Sequence, residues 1–89
     1  MAKVIFKELS SPGCHNCKAL EEYWHSIEKE FPDVTYQNVS ILNPEGQELA
    51  VKYGIFASPG VILNDELFST GGIDKDAFRQ KLTALIAAH

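Results

Sequence analysis

Apolar residues recur along the chain with two different periods. In KVIFKEL, residues 3–9, Val4, Phe6 and Glu8 fall on one side of an extended chain, and Ile5, Lys7 and Leu9 on the other. Apolar residues on both sides predict a strand in the interior of a sheet. Ser10, Ser11, Pro12 and Gly13 then break it. From about Cys14 to Phe31 the period changes. Cys17, Leu20, Trp24, Ile27 and Phe31 are spaced three or four apart, the apolar stripe of a helix, which places Trp24 in the core. Pro32 and Asp33 stop it. Val34 to about Ile41 predicts a second strand, with Val34, Thr35, Tyr36 and Val39 as strand formers.

Asn43-Pro44 reads as the cap and first position of a second helix, running to Tyr53 and stopping at Gly54. Gly46 is a poor helix former inside it. GVILNDELFST, residues 60–70, reads as a β-hairpin, because Asn64 and Asp65 tolerate the positive φ of a tight turn. Gly71 and Gly72 break the chain again. Asp74 then caps a last helix that buries Phe78, Leu82 and Leu85, with Ile73 and Phe78 placed for a hydrophobic staple. The order is strand, helix, strand, helix, strand, strand, helix. Its first half requires a parallel pair with a right-handed crossover, and the hairpin adds antiparallel strands. The expectation is an α/β fold: one domain over residues 1–89, with a four-stranded mixed sheet and helices on its faces.

Composition narrows the function classes. The chain is 45% hydrophobic and 22% charged, as ordinary globular proteins are. Its net charge of −4, with no basic block, argues against nucleic acid as a partner. No apolar run approaches the ~20 residues needed to cross a bilayer. MAKVIFKELSS lacks the apolar segment and cleavage site of a signal peptide, so the expected location is cytoplasmic. Nothing in the sequence demands more than a monomer.

The chemistry concentrates in SSPGCHNCK, residues 10–18, which holds both cysteines of the chain. Cys14 falls where strand gives way to helix. The unpaired N–H groups and positive dipole end of a first helical turn favour a thiolate there. Cys14 is therefore the expected exposed nucleophile. Cys17, one turn later at the head of the apolar stripe, is the expected buried partner. A structural zinc site takes about four ligands. Beyond the cysteines the chain offers His15, His25 and His89 without finger spacing, so no metal site is expected. A disulfide closing so short a loop adds little stability. The pair reads as redox-active, the alternative being two unrelated buried cysteines. His15 has two readings. Its partial positive charge stabilises the Cys14 thiolate and makes the disulfide more oxidising, or it is simply an exposed residue. His25 and His89 are expected at the surface.

Three stretches carry a family resemblance. CHNCK supplies Cys14, Cys17 and Lys18 in a C-x-x-C-K pattern. KYGIFASPGVIL, residues 52–63, has the form K-Y-G-I-x-x-x-P followed by an apolar strand. Gly71-Gly72 follows the hairpin. On these residues nearly the whole chain resembles the thioredoxin superfamily. The resemblance implies a thioredoxin fold, βαβαββα, with the sheet flanked by three helices. It also implies a thiol–disulfide oxidoreductase with no cofactor beyond its redox-active disulfide. Cys14 would attack protein disulfides and Cys17 would resolve the mixed disulfide, with His15, Asn16 and Lys18 tuning the pair. Pro59 takes the place of the family's cis-proline. The backbone of Ser58 would pair with the substrate chain like an added strand. Gly13, Phe56 and Ala57 would form an apolar rim, and Gly71 and Gly72 would admit a partner backbone. Glu8, six residues before Cys14, stands where thioredoxins bury an aspartate. It reads either as the general base for Cys17, its pKa raised by burial, or as a surface glutamate paired with Lys7 or Lys18.

The departures from thioredoxin are Gly13 for a tryptophan, His15-Asn16 for Gly-Pro, and the missing N-terminal strand and helix. The short frame, SSPGC, and ASPGVILND with its double glycine resemble glutaredoxin. Yet Ser11 replaces the glutaredoxin lysine, Asn16 replaces its aromatic residue, and Asp74 and Asp76 are out of register. The electron donor implied is a thioredoxin-reductase-like enzyme or glutathione. Two other readings stay open at this level: a glutathione-bridged iron–sulfur carrier liganded by Cys14, and a non-catalytic binding module of the same fold.

Overall fold

The computed structural model describes residues 3–88, so the surface position expected for His89 lies outside the described residues. The chain forms β1 (Val4–Ser10), α1 (His15–Ile27), a 3₁₀ turn (Glu28–Glu30), β2 (Val34–Ser40), α2 (Pro44–Tyr53), β3 (Gly60–Leu63), β4 (Glu66–Thr70) and α3 (Lys75–Ala87). The sheet order is β2-β1-β3-β4. β1 runs parallel to β2 and antiparallel to β3, and β3 pairs antiparallel with β4. β1 is therefore an interior strand, as its two-sided apolar pattern requires. Among the described residues no helix is long and apolar enough to cross a membrane.

Each sheet face has its own core. On one face Val4 and Phe6 of β1 and Val61 and Leu63 of β3 meet Leu20, Trp24 and Ile27 of α1 and Phe78 and Leu82 of α3. Phe6 is its centre, with ring centroids 5.3 Å from Trp24 and 5.2 Å from Phe78, both edge-on. On the other face Leu9, Val39, Ile55 and Ile62 pack under α2, against Leu49 and Tyr53. The alternation along β1 assigns its residues to these two faces. Glu8 shares the aromatic side.

Local chemistry sets the boundaries. α1 ends at Ile27, short of the expected Phe31, and its last turn tightens into the 3₁₀ segment. Pro32 disfavours helical geometry at the residue before it. Phe31 still joins the core from outside the helix. Asn43 takes the N-cap position of α2, but its side chain makes no capping bond. Asp74 does cap α3, accepting from Ala77 N–H at 3.0 Å. Asn64 and Asp65 turn the hairpin with φ of 50° and 65°, the backbone of a type I′ turn. Tyr53 Oη donates to the Asp65 carbonyl at 2.8 Å, tying α2 to that turn.

Gly46 is buried within α2, and a Cβ there would run into the Ser40 carbonyl. The missing side chain lets α2 lie directly on the end of β2. In an unconstrained helix Gly→Ala gains about 1 kcal/mol. Here Gly46→Ala is expected to destabilise by roughly 1–3 kcal/mol, the usual penalty of overpacking. Urea denaturation midpoints measure this; a variant more stable than wild type would show that the close approach is no constraint.

Candidate active site

The site forms where β1 stops. Gly13 turns the chain with φ of 70°. Cys14 follows in extended geometry as the N-cap of α1, and its Sγ accepts a hydrogen bond from Cys17 N–H at 3.0 Å. Cys14 and Cys17 are joined as a disulfide, with Cα atoms 5.2 Å apart. Cys14 is half-buried, whereas Cys17 is 3% exposed at the head of the apolar stripe. Cys14 is the more exposed residue of the two. Both line an open cleft of about 770 Å³ walled by Ser10, Gly13, Glu21 and Asn38. His15 and Lys18 are exposed around it, and neither forms an ion pair among the described residues.

On the other flank, three distant stretches are linked by two hydrogen bonds. Asn16 Nδ2 donates to the Gly71 carbonyl at 2.9 Å, and Gly71 N–H donates to the Pro59 carbonyl at 3.0 Å. The Ser58–Pro59 peptide bond is cis, and the Pro59 side chain is fully buried. Gly71 has a φ of 80° and Gly72 one of 145°, conformations that favour glycine. A Cβ on Gly71 would lie 3.7 Å from Ala57. Asn16, Ala57, Pro59 and Gly71 are thus brought together. Phe56 projects beside Ala57 with 98% of its surface exposed. Asn16, Leu20, Gly71, Gly72 and Ile73 also line a smaller hollow of about 310 Å³.

Glu8 is fully buried, so it is neither a surface residue nor paired with Lys7 or Lys18. It lies on the Val4/Phe6 face, one pleat beyond Phe6 toward the cysteine end of α1. Tyr36 Oη donates to its Oε1 at 2.6 Å. Asn38 Nδ2 lies 3.2 Å from Tyr36 Oη and 3.2 Å from Glu21 Oε2, and Ser10 Oγ donates to Asn38 Oδ1 at 2.6 Å. Burial pushes the Glu8 pKa up to about 8; the nearby Glu21 carboxyl adds to the rise and the Tyr36 bond opposes it. Burial and the Glu8 contact in turn hold the Tyr36 hydroxyl protonated, above the ordinary phenol range.

Tyr36, Asn38 and Glu21 belong to this network, and motif reading passes over all three. The available signal is the two-residue period of β2, which sets Tyr36 and Asn38 on one face. The parallel register then sets Phe6 beside Tyr36 and Glu8 beside Asn38.

Residues 3–84 match the family model described as a thioredoxin domain. The chain is 32% identical to the thioredoxin of Methanocaldococcus jannaschii over 80 residues, covering 86% of this chain and 89% of that protein. A mutant thioredoxin from Halobacterium salinarum has a similar structure, with a TM-score of 0.75 at 21% identity, covering 99% of this chain and 79% of that one. A structure of ferredoxin:thioredoxin reductase in complex with thioredoxin f2 matches with a TM-score of 0.69 at 16% identity, covering 92% and 77%. At such identities the two structures speak for the fold alone. The family match spans most of the chain and includes the disulfide-bonded pair at the start of α1, so this protein belongs to the thioredoxin family of thiol–disulfide oxidoreductases.

Proposed function

We propose that the protein reduces disulfides in other proteins, with Cys14 attacking and Cys17 resolving. One observation carries this reading: Cys14, at the N-cap of α1, is half-buried and lines the cleft, while its disulfide partner is 3% exposed. The helix N-terminus offers N–H groups and a positive dipole end to a Cys14 thiolate once the pair is reduced. That thiolate attacks a substrate sulfur, and the other substrate sulfur leaves with the bonding electrons. Cys17 then loses its proton and attacks Cys14 Sγ. The second substrate thiolate departs, and two electrons have moved from the cysteine pair to the substrate.

Glu8 is the base for Cys17 in this scheme. It is buried on the face that meets the cysteine end of α1, in a site that weakens its acidity. The backbone of Ser58, ahead of Pro59, receives the substrate chain as an added strand. Gly13, Phe56 and Ala57 form the apolar rim, with Gly71 and Gly72 leaving room for a partner backbone. His15, Asn16 and Lys18 surround the pair and tune it. Electrons return to the Cys14–Cys17 disulfide from a thioredoxin-reductase-like enzyme, as thioredoxin f2 is found in complex with ferredoxin:thioredoxin reductase, or from glutathione. Nothing but sulfur exchange is needed, so no organic or metal cofactor enters.

Cys14→Ser is expected to abolish reduction of a protein disulfide such as those of insulin. Cys17→Ser is expected to accumulate a mixed disulfide on Cys14, visible as added mass on the intact protein. Reduction at the wild-type rate by Cys14→Ser would end this mechanism.

Glu8 also makes stability depend on pH. Its pKa of about 8 in the folded protein exceeds the ordinary 4.5, so between these values the folded chain holds a proton that the unfolded chain has lost. Stability from this group is complete below pH ~4.5, falls by up to ~1.4 kcal/mol per pH unit, and levels off above pH ~8. Glu8→Gln is expected to remove that slope and to leave the oxidised protein more stable than wild type at pH 8. Urea titrations at several pH values measure both effects; parallel curves would place the Glu8 pKa in the ordinary carboxylate range.

A further inference from the structure

Glu8 Oε1 accepts from Tyr36, but the buried Oε2 has no hydrogen-bond partner among the described residues. The polar side chain facing Glu8 from α1 is another carboxyl. Glu21 lies one turn after Cys17, and Asn38 Nδ2, 3.2 Å from both Glu21 Oε2 and Tyr36 Oη, links it to the hydroxyl that donates to Glu8; its carboxyl also adds to the rise of the Glu8 pKa. Two ionised carboxylates offer each other only acceptors and repel. Their contact becomes favourable when one proton sits between them. Among the described residues no salt bridge joins a cation to either carboxyl. β3 sets Val61 beside Glu8, α3 brings Phe78 and Leu82 to the same face, and β2 brings Tyr36 and Asn38. Lys18 lines the cleft without an ion pair among the described residues.

Glu21 differs from Glu8 in access. It is half-buried, lines the cleft together with both cysteines, and is held by Asn38, which Ser10 anchors in turn. We propose that Glu8 and Glu21 form a proton-sharing carboxyl pair, in which Glu21 carries the proton between the buried Glu8 and the open cleft. This rests on the reading of Glu8 as the base for Cys17, and it removes a difficulty in that reading. A carboxyl that is already protonated at neutral pH accepts no proton. With Glu21 ionised beside it, Glu8 passes its proton to Glu21 as it takes the one from Cys17, and Glu21 releases its proton to water in the cleft. The Cys17 S–H bond breaks, the Cys17–Cys14 bond forms, and the substrate thiolate leaves with its electron pair. One proton reaches the solvent, and the pair ends as it began, sharing one.

The test uses the reduced full chain and one equivalent of bis(nitrobenzoate) disulfide, which releases a coloured thiolate at each step. The first phase reports attack by Cys14 and the second reports resolution by Cys17. Glu21→Gln is read by the ratio of the second-phase rate to the first, because Glu21 lines the cleft that admits the reagent. It is expected to slow the second about tenfold at neutral pH and to shift its pH midpoint by about half a unit or more. Glu21→Asp, which keeps the carboxyl, should recover part of the rate. A purely structural role for Glu21 would change the melting temperature and leave the midpoint in place. An unchanged second phase in Glu21→Gln overturns the pair. If Glu8→Gln still slows that phase, the reading of Glu8 as base survives alone; if neither variant slows it, both readings fall.

Discussion

The first turn of α1 presents N–H groups that the helix itself cannot satisfy, and the sulfur of Cys14 answers one of them. Most of the site follows from that contact. It places one sulfur of the pair at the positive end of the helix. It also sets the phase of the helix, since the capping residue decides which later positions turn inward. With Cys14 at the cap, Cys17 heads the stripe of Leu20, Trp24 and Ile27 and enters the core with them. The difference in access between the two sulfurs is therefore a property of helix phase.

The aromatic core accounts for the burial of Glu8. Val4, Phe6 and Glu8 point the same way from β1, and the first two are packed under α1 and α3. Glu8 continues that row into a place with little water. Burying an ionised carboxylate there is expensive unless it is neutralised or well bonded. The rings around Phe6 thus bear on the Glu8 carboxyl through burial, because they pack α1 and α3 against the sheet on its face.

Much of this was legible along the chain, because the decisive signals are local. The two-sided apolar pattern of β1, the stripe of α1, the Asn64-Asp65 turn and the Asp74 cap all act within a few residues. Phe31 shows how a local signal misleads. Its spacing continues the stripe, yet Pro32 ends the helix sooner, and the ring reaches the core from outside it. Asn43 occupies a capping position without making the bond. Glu8 was legible as a candidate, but its burial was not, since a strand glutamate with Lys7 and Lys18 as possible partners reads equally well as surface. Tyr36, Asn38 and Glu21 were not legible at all. They meet Glu8 only through the parallel register of β1 with β2 and the placement of α1 above both.

The bond from Asn16 to the Gly71 carbonyl gives the two residues between the cysteines a second duty. In a C-x-x-C protein that dipeptide is the natural place to alter redox potential. In this chain, one of its members also fastens the double-glycine loop, and through Gly71 the Pro59 strand entry, to the redox helix. An exchange of Asn16 therefore also breaks the tie between the double-glycine loop and the redox helix, in addition to the change of electron affinity that the proposed function assigns to this dipeptide. Retuning one without the other calls for an amide or equivalent donor to be kept at position 16 while position 15 varies.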